Sequence, residues 1–81
     1  MKTEVRLFAS ARQLAQTERV MLDLPAGSTA AEIRAALAAA VPALRPLLPH
    51  MLVAVNNQYI NDAAPIPPEA EIAFIPPVSG G

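Results

Sequence analysis

Residues 28–42 read STAAEIRAALAAAVP and hold the one long helical pattern in the chain. Thr29 and Glu32 have the spacing of a capping box, set just before an apolar-periodic run. Ile33, Leu37 and Val41 recur every fourth residue, so they line one helix face. Alanine fills most of the remaining positions, which favours helix and allows close packing on a sheet. Pro42 ends the pattern.

On either side the sequence alternates with the period of a strand. Residues 3–9 put Val5, Leu7 and Ala9 on one phase, with Glu4, Arg6 and Phe8 on the other. Residues 10–16 are short and polar, enough for a helical turn. Residues 18–24 alternate again, with Val20, Leu22 and Leu24 inward, until Pro25-Ala26-Gly27 supplies a turn. After the helix, prolines at 42, 46 and 49 leave room only for a connector with one further turn. Residues 51–55 and 58–60 flank Asn56-Asn57, a pair that tolerates positive φ and suits a two-residue hairpin. Residues 61–70 form a proline-containing loop, and residues 71–75 a last strand that Pro76-Pro77 cannot continue. The order strand, strand, helix, strand, strand, strand predicts a two-layer α+β domain, with one main helix covering one face of the sheet.

The hairpin sets the register. With Asn56-Asn57 as the loop, Val55 opposes Gln58, Ala54 opposes Tyr59 and Val53 opposes Ile60. Val53, Val55 and Ile60 then join Val5, Leu7, Ile72 and Phe74 under the helix. Phe8, Leu52, Ala54, Tyr59, Ala73 and Ile75 point the other way. Large apolar side chains on an uncovered sheet face predict a protein-binding patch. The alternative is that residues 42–50 or 61–70 fold over them.

Composition narrows the function. Of the 81 residues, 53% are hydrophobic and 16% charged, which fits one small folded domain and excludes disorder. A net charge of −1 with no basic run argues against nucleic acid and anionic membrane as partners. There is no cysteine, hence no disulfide, thiolate metal site or cysteine nucleophile. Glu4 and Arg6 stand where a signal peptide needs apolar residues, and the apolar run between Arg34 and Arg45 is too short for a membrane span. A cytoplasmic protein is expected.

No catalytic set is legible. The single histidine, His50, lies in the proline-rich connector and reads as an exposed loop residue. The seven acids, Glu4, Glu18, Asp23, Glu32, Asp62, Glu69 and Glu71, scatter over outward phases and turns as surface charges. Ser28 and Thr29 read as helix-cap residues, and Ser10 has no histidine near it in sequence. Gly27 stands alone, so there is no phosphate-binding loop. No metal site is expected, and the domain is expected to be non-catalytic by itself.

What remains is the α-carboxylate of Gly81, an anion at neutral pH and a nucleophile towards an activated phosphate. Glycine at 80 and 81 lets the end of the chain enter a channel that would reject any Cβ. Pro76 and Pro77 stiffen its root, and six residues reach at most ~20 Å. The expected organisation is a folded domain over residues 1–75 and a flexible diglycine tail over residues 76–81.

The stretches VRLFASARQLA, LPAGSTAAEIRAAL, VAVNNQYI and EIAFIPPVSGG together resemble the small, sulfur-carrying subunits of molybdopterin synthase. The resemblance runs along essentially the whole chain, and the strand leading into PPVSGG carries it most specifically. It implies a ubiquitin-like β-grasp fold with a mixed sheet of four to five strands. It also implies that an activating enzyme adenylates Gly81 with ATP and that a thiocarboxylate follows. The large synthase subunit, in a heterotetramer, then takes the tail into its active site and passes sulfur to a cyclic pyranopterin precursor. The carrier itself binds no cofactor. Gly80, Ser79, Val78, Pro77 and Pro76 would thread, while Phe8, Leu52, Tyr59 and Ile75 fall where such proteins make their apolar partner contact.

Two departures stand out. The family's acidic-Gly-acidic turn before the last strand is replaced by Pro67-Pro68-Glu69-Ala70-Glu71, and Ile75 stands where an aromatic residue is frequent. Three other readings share parts of this pattern. A thiamine-type sulfur carrier has the same fold and diglycine, a ubiquitin-like modifier would join Gly81 to lysines of targets, and a plain interaction module would have an idle tail.

Overall fold

The capping box forms as the sequence predicts and starts the main helix. Thr29 Oγ1 accepts from the Glu32 N–H at 3.3 Å, while Glu32 Oε1 accepts from the Thr29 N–H at 2.9 Å. These bonds satisfy two backbone donors that a helix start leaves open. In the computed structural model, which describes residues 2–76, the order of elements is β1 (Lys2–Leu7), α1 (Ala9–Ala15), β2 (Arg19–Asp23), α2 (Ala30–Ala40), β3 (Leu52–Val55), β4 (Gln58–Ile60) and β5 (Ile72–Ile75). Two 3-10 turns, Pro42–Leu44 and Leu48–His50, lie between α2 and β3.

The strands form a sheet in the order β2-β1-β5-β3-β4. β1 and β5 run parallel at its centre, and the other neighbours are antiparallel. The β3–β4 register pairs Val53 with Ile60, Ala54 with Tyr59 and Val55 with Gln58, as the asparagine turn predicts. Asn56 and Asn57 both take positive φ, at 50° and 67°. That is the conformation which gives a two-residue hairpin the twist of its strands.

Alternation sorts the side chains. Val5, Leu7, Val53, Val55, Ile72 and Phe74 point to the helix side and are buried with Ile33 and Leu37 of α2. Leu44, Leu48 and Ile66 join the same core. The connector and the loop thus fold towards the helix layer, leaving Phe8, Leu52 and Tyr59 exposed on the opposite side. The result is the ubiquitin-like β-grasp architecture, a mixed five-stranded sheet with one main helix.

Three local expectations need correction. Ala9 does not extend β1; its φ of 51° turns the chain out of the sheet, and it opens α1. Residues 10–16 make more than a single turn, because the alanines of ASARQLA support a seven-residue helix that buries Ala11 fully. The connector holds two 3-10 turns where one turn is expected, each with proline near its start, where a missing N–H costs nothing.

Candidate functional site

The sheet face away from α2 is built in rows that the register defines. One row runs Tyr59, Ala54, Ala73, Arg6, Arg19 across all five strands. Beside it, towards the C-terminal end of β5, Leu52 pairs directly with Ile75. Phe8 follows Arg6 by two positions and so projects from the same side. On the other flank Glu4 pairs with Met21, and Glu71 precedes Ala73 by two.

This open face has two unlike halves. At the apolar end Phe8 is 41% exposed, Leu52 48% and Tyr59 67%, while Ile75 is half-buried. Ala54 belongs to this face by register but is buried, so it forms floor rather than contact surface. At the other end a shallow depression is lined by Glu4, Arg6, Arg19, Glu69, Ala70 and Glu71. Ion pairs cross it, with Arg6 to Glu71 at 3.1 Å and Arg19 to Glu4 at 3.5 Å. The side chains in both pairs are largely exposed, so their contribution to stability is small.

The four residues predicted as a partner surface therefore share one face, and Leu52 and Ile75 touch in register. Pro76 is half-buried and leaves β5 directly after Ile75. The apolar end thus adjoins Pro76, the last described residue. Pro77, Val78, Ser79, Gly80 and Gly81, the other tail residues singled out in the sequence, lie outside the described residues.

The remaining polar groups do not gather. His50 is exposed at the end of the second 3-10 turn. Glu18 pairs with Arg12 at 3.7 Å, Asp62 pairs with Arg34, and Glu32 is held in its cap. Among the described residues no group of three or more His, Cys, Asp or Glu side chains is placed to hold a metal ion. No described helix is long and apolar enough to cross a membrane.

Sequence reasoning passed over Arg34. Its guanidinium lies inside the fold, donating to the carbonyls of Leu48 and Met51, the latter at 2.9 Å, and to Asp62 Oδ1 at 2.8 Å. It also lies over the Phe74 ring, 5.5 Å from the centroid. The signal was available: Arg34 directly follows Ile33 in a helix that is otherwise mostly alanine, at the margin of the buried stripe. A second missed feature is Glu69, whose φ of 62° is left-handed. The turn that holds Pro67 and Pro68 therefore includes a backbone position that glycine would occupy more easily.

The comparisons with known proteins agree with this architecture. Residues 5–81 match the ThiS family. The molybdopterin synthase sulfur carrier subunit of Arabidopsis thaliana is 35% identical over 81 residues, covering 100% of this chain and 84% of that protein. Among solved structures, SAMP1 from Haloferax volcanii superposes with a TM-score of 0.87 at 28% identity, each chain covered in full at 100%. A complex of subunits 1 and 2 of molybdopterin-converting factor from Helicobacter pylori contains a chain that matches with a TM-score of 0.70 at 27% identity, again covering 100% of both. The chain therefore belongs to the ThiS family, and it resembles the molybdopterin synthase sulfur carrier subunits over its whole length.

Proposed function

We propose that this chain is the sulfur-carrying subunit of a molybdopterin synthase and that Gly81 bears the sulfur. The observation that carries the reading is full-length similarity to relatives named for that role. The sequence PPVSGG directly after β5 supports it. The apolar end of the open face is the docking surface, with Phe8, Leu52, Tyr59 and Ile75 as its contacts. Its partner is the large synthase subunit, a reading favoured by the solved subunit 1 and 2 complex of a similar chain.

The chemistry follows from a carboxylate at the end of two glycines. A Gly81 carboxylate oxygen bonds to the α-phosphorus of ATP on an activating enzyme, and pyrophosphate leaves. Sulfur at the sulfide level, as hydrosulfide, then attacks the acyl-adenylate carbonyl, AMP departs, the S–H proton is lost, and a thiocarboxylate remains. On the large subunit the thiocarboxylate sulfur bonds to a carbon of the pyranopterin precursor in place of an oxygen substituent, whose C–O bond breaks and whose oxygen leaves protonated. Hydrolysis of the resulting acyl link leaves sulfur on the precursor and restores the Gly81 carboxylate. Each carrier delivers one sulfur, so a dithiolene needs two deliveries. The folded domain contributes docking and aim, and no acid or base of its own.

Removal of Gly81, or addition of one residue after it, is expected to abolish molybdopterin formation while the domain still folds. A truncated protein that restored molybdopterin synthesis would contradict the reading. The likeness to SAMP1, solved also under the name small archaeal modifier protein 1, favours a second reading in which activated Gly81 joins target lysines. Lysine-linked conjugates recovered from native cells would support it. A thiamine-type carrier would instead supply thiazole synthesis in cells unable to make thiamine.

A further inference from the structure

Arg6 sits where the two halves of the open face meet, and neither the tail chemistry nor the apolar contacts explain its arrangement. In its row it lies between Ala73 of β5 and Arg19 of β2. Its guanidinium reaches Glu71 Oε1 at 3.1 Å on one side. On the other it lies over the Phe8 ring, 5.7 Å from the centroid. Phe8 stands one residue past the end of β1, with extended backbone, immediately before the left-handed turn at Ala9. The ring is therefore outside the strand ladder, and its orientation depends on side-chain neighbours.

We propose that Arg6 is a positioning residue for docking: anchored by Glu71, its guanidinium holds the Phe8 ring in the orientation that a partner protein receives. The proposal rests on reading the apolar end as the docking surface for the large synthase subunit. In the free domain the arrangement contributes little, because an exposed ion pair and an exposed cation–π contact are both weak in water. Once a partner covers the face, the cation–π contact is desolvated and strengthens. A planar guanidinium can stack on the ring and still present N–H groups to the carboxylate. A lysine ammonium in the same place is a compact point charge and cannot do both.

Affinity for the large subunit, measured by titration calorimetry alongside thermal unfolding of the free chain, tests this with five variants. Phe8→Ala asks whether the docking surface is correctly placed and should weaken binding strongly. Arg6→Met should weaken binding roughly tenfold, the scale of a desolvated cation–π contact, with no loss of thermal stability beyond a few degrees. Arg6→Lys should recover only part of that loss. In a Phe8→Leu background, which keeps apolar bulk but removes the π face, Arg6→Met should have no further effect. If Phe8→Ala binds like the unaltered chain, the docking surface is wrong and the role of Arg6 falls with it. If Phe8→Ala weakens binding but Arg6→Met does not, the docking surface stands and the role of Arg6 alone is overturned. An undiminished Arg6→Met effect in the Phe8→Leu background would likewise overturn it, since Arg6 would then act independently of the ring.

Discussion

Of the two charged side chains in α2, Glu32 closes the cap and Arg34 turns into the fold. Arg34 ties α2 to the carbonyls of Leu48 and Met51 and to Asp62, so one side chain joins the helix, the connector and the loop after β4. Its Nε is buried with no hydrogen-bond partner among the described residues, so the arrangement is not fully compensated. Removing the whole group is nonetheless costly, because it strips two carbonyls and a carboxylate of their shared donor. Arg34→Met is expected to destabilise the domain by about 2 kcal/mol in urea unfolding, since Asp62 is half exposed and the Leu48 carbonyl keeps the Met51 N–H. Arg34→Lys should give little rescue, since an ammonium lacks the fork that reaches several acceptors. A loss below about 1 kcal/mol would mean that water or local shifts replace those bonds. None of these partners was visible in the sequence, because they lie 14, 17 and 28 residues further along the chain.

At the level of elements, the β3–β4 hairpin shows how much a short motif specifies. Asn56 takes φ 50°, its N–H donates to the Glu71 carbonyl at 2.9 Å, and its Oδ1 accepts from the Glu71 N–H at 3.0 Å. It thus makes the turn and also fastens the turn to the start of β5. Asn56→Ala loses the side-chain bond and places alanine in left-handed backbone, an expected cost of about 1–2 kcal/mol. Asn57→Ala should cost less in the same urea titration, since only Asn56 combines positive φ with that bond. The hairpin and α2 were legible because a turn dipeptide and a capping box are local patterns. The sequence predicts only a single turn for α1, because its start has no side-chain cap and Ala11 is its one buried residue. The face of the predicted contact residues was legible through register, since opposed residues share a side of the sheet.

On the scale of the whole molecule, the parallel pairing of β1 with β5 places the first and last strands side by side in the interior of the sheet. Alternation marked both strands but could not show that they are neighbours, because that contact joins Val5 to Ile72. Its consequence is functional: Phe8, just past β1, comes to the same end of the open face as Ile75 and Pro76. The proposed docking surface and Pro76, which leads out of β5, thus lie at one end of the sheet. The most direct test of sulfur carriage by Gly81 is the intact mass, with C-terminal fragmentation, of the protein purified from its native cells. A sulfur carrier should show exchange of one oxygen for sulfur, localised to Gly81 and lost on hydrolysis. A C-terminus found only as carboxylate under conditions of active molybdopterin synthesis, or only joined to lysines of other proteins, would contradict it.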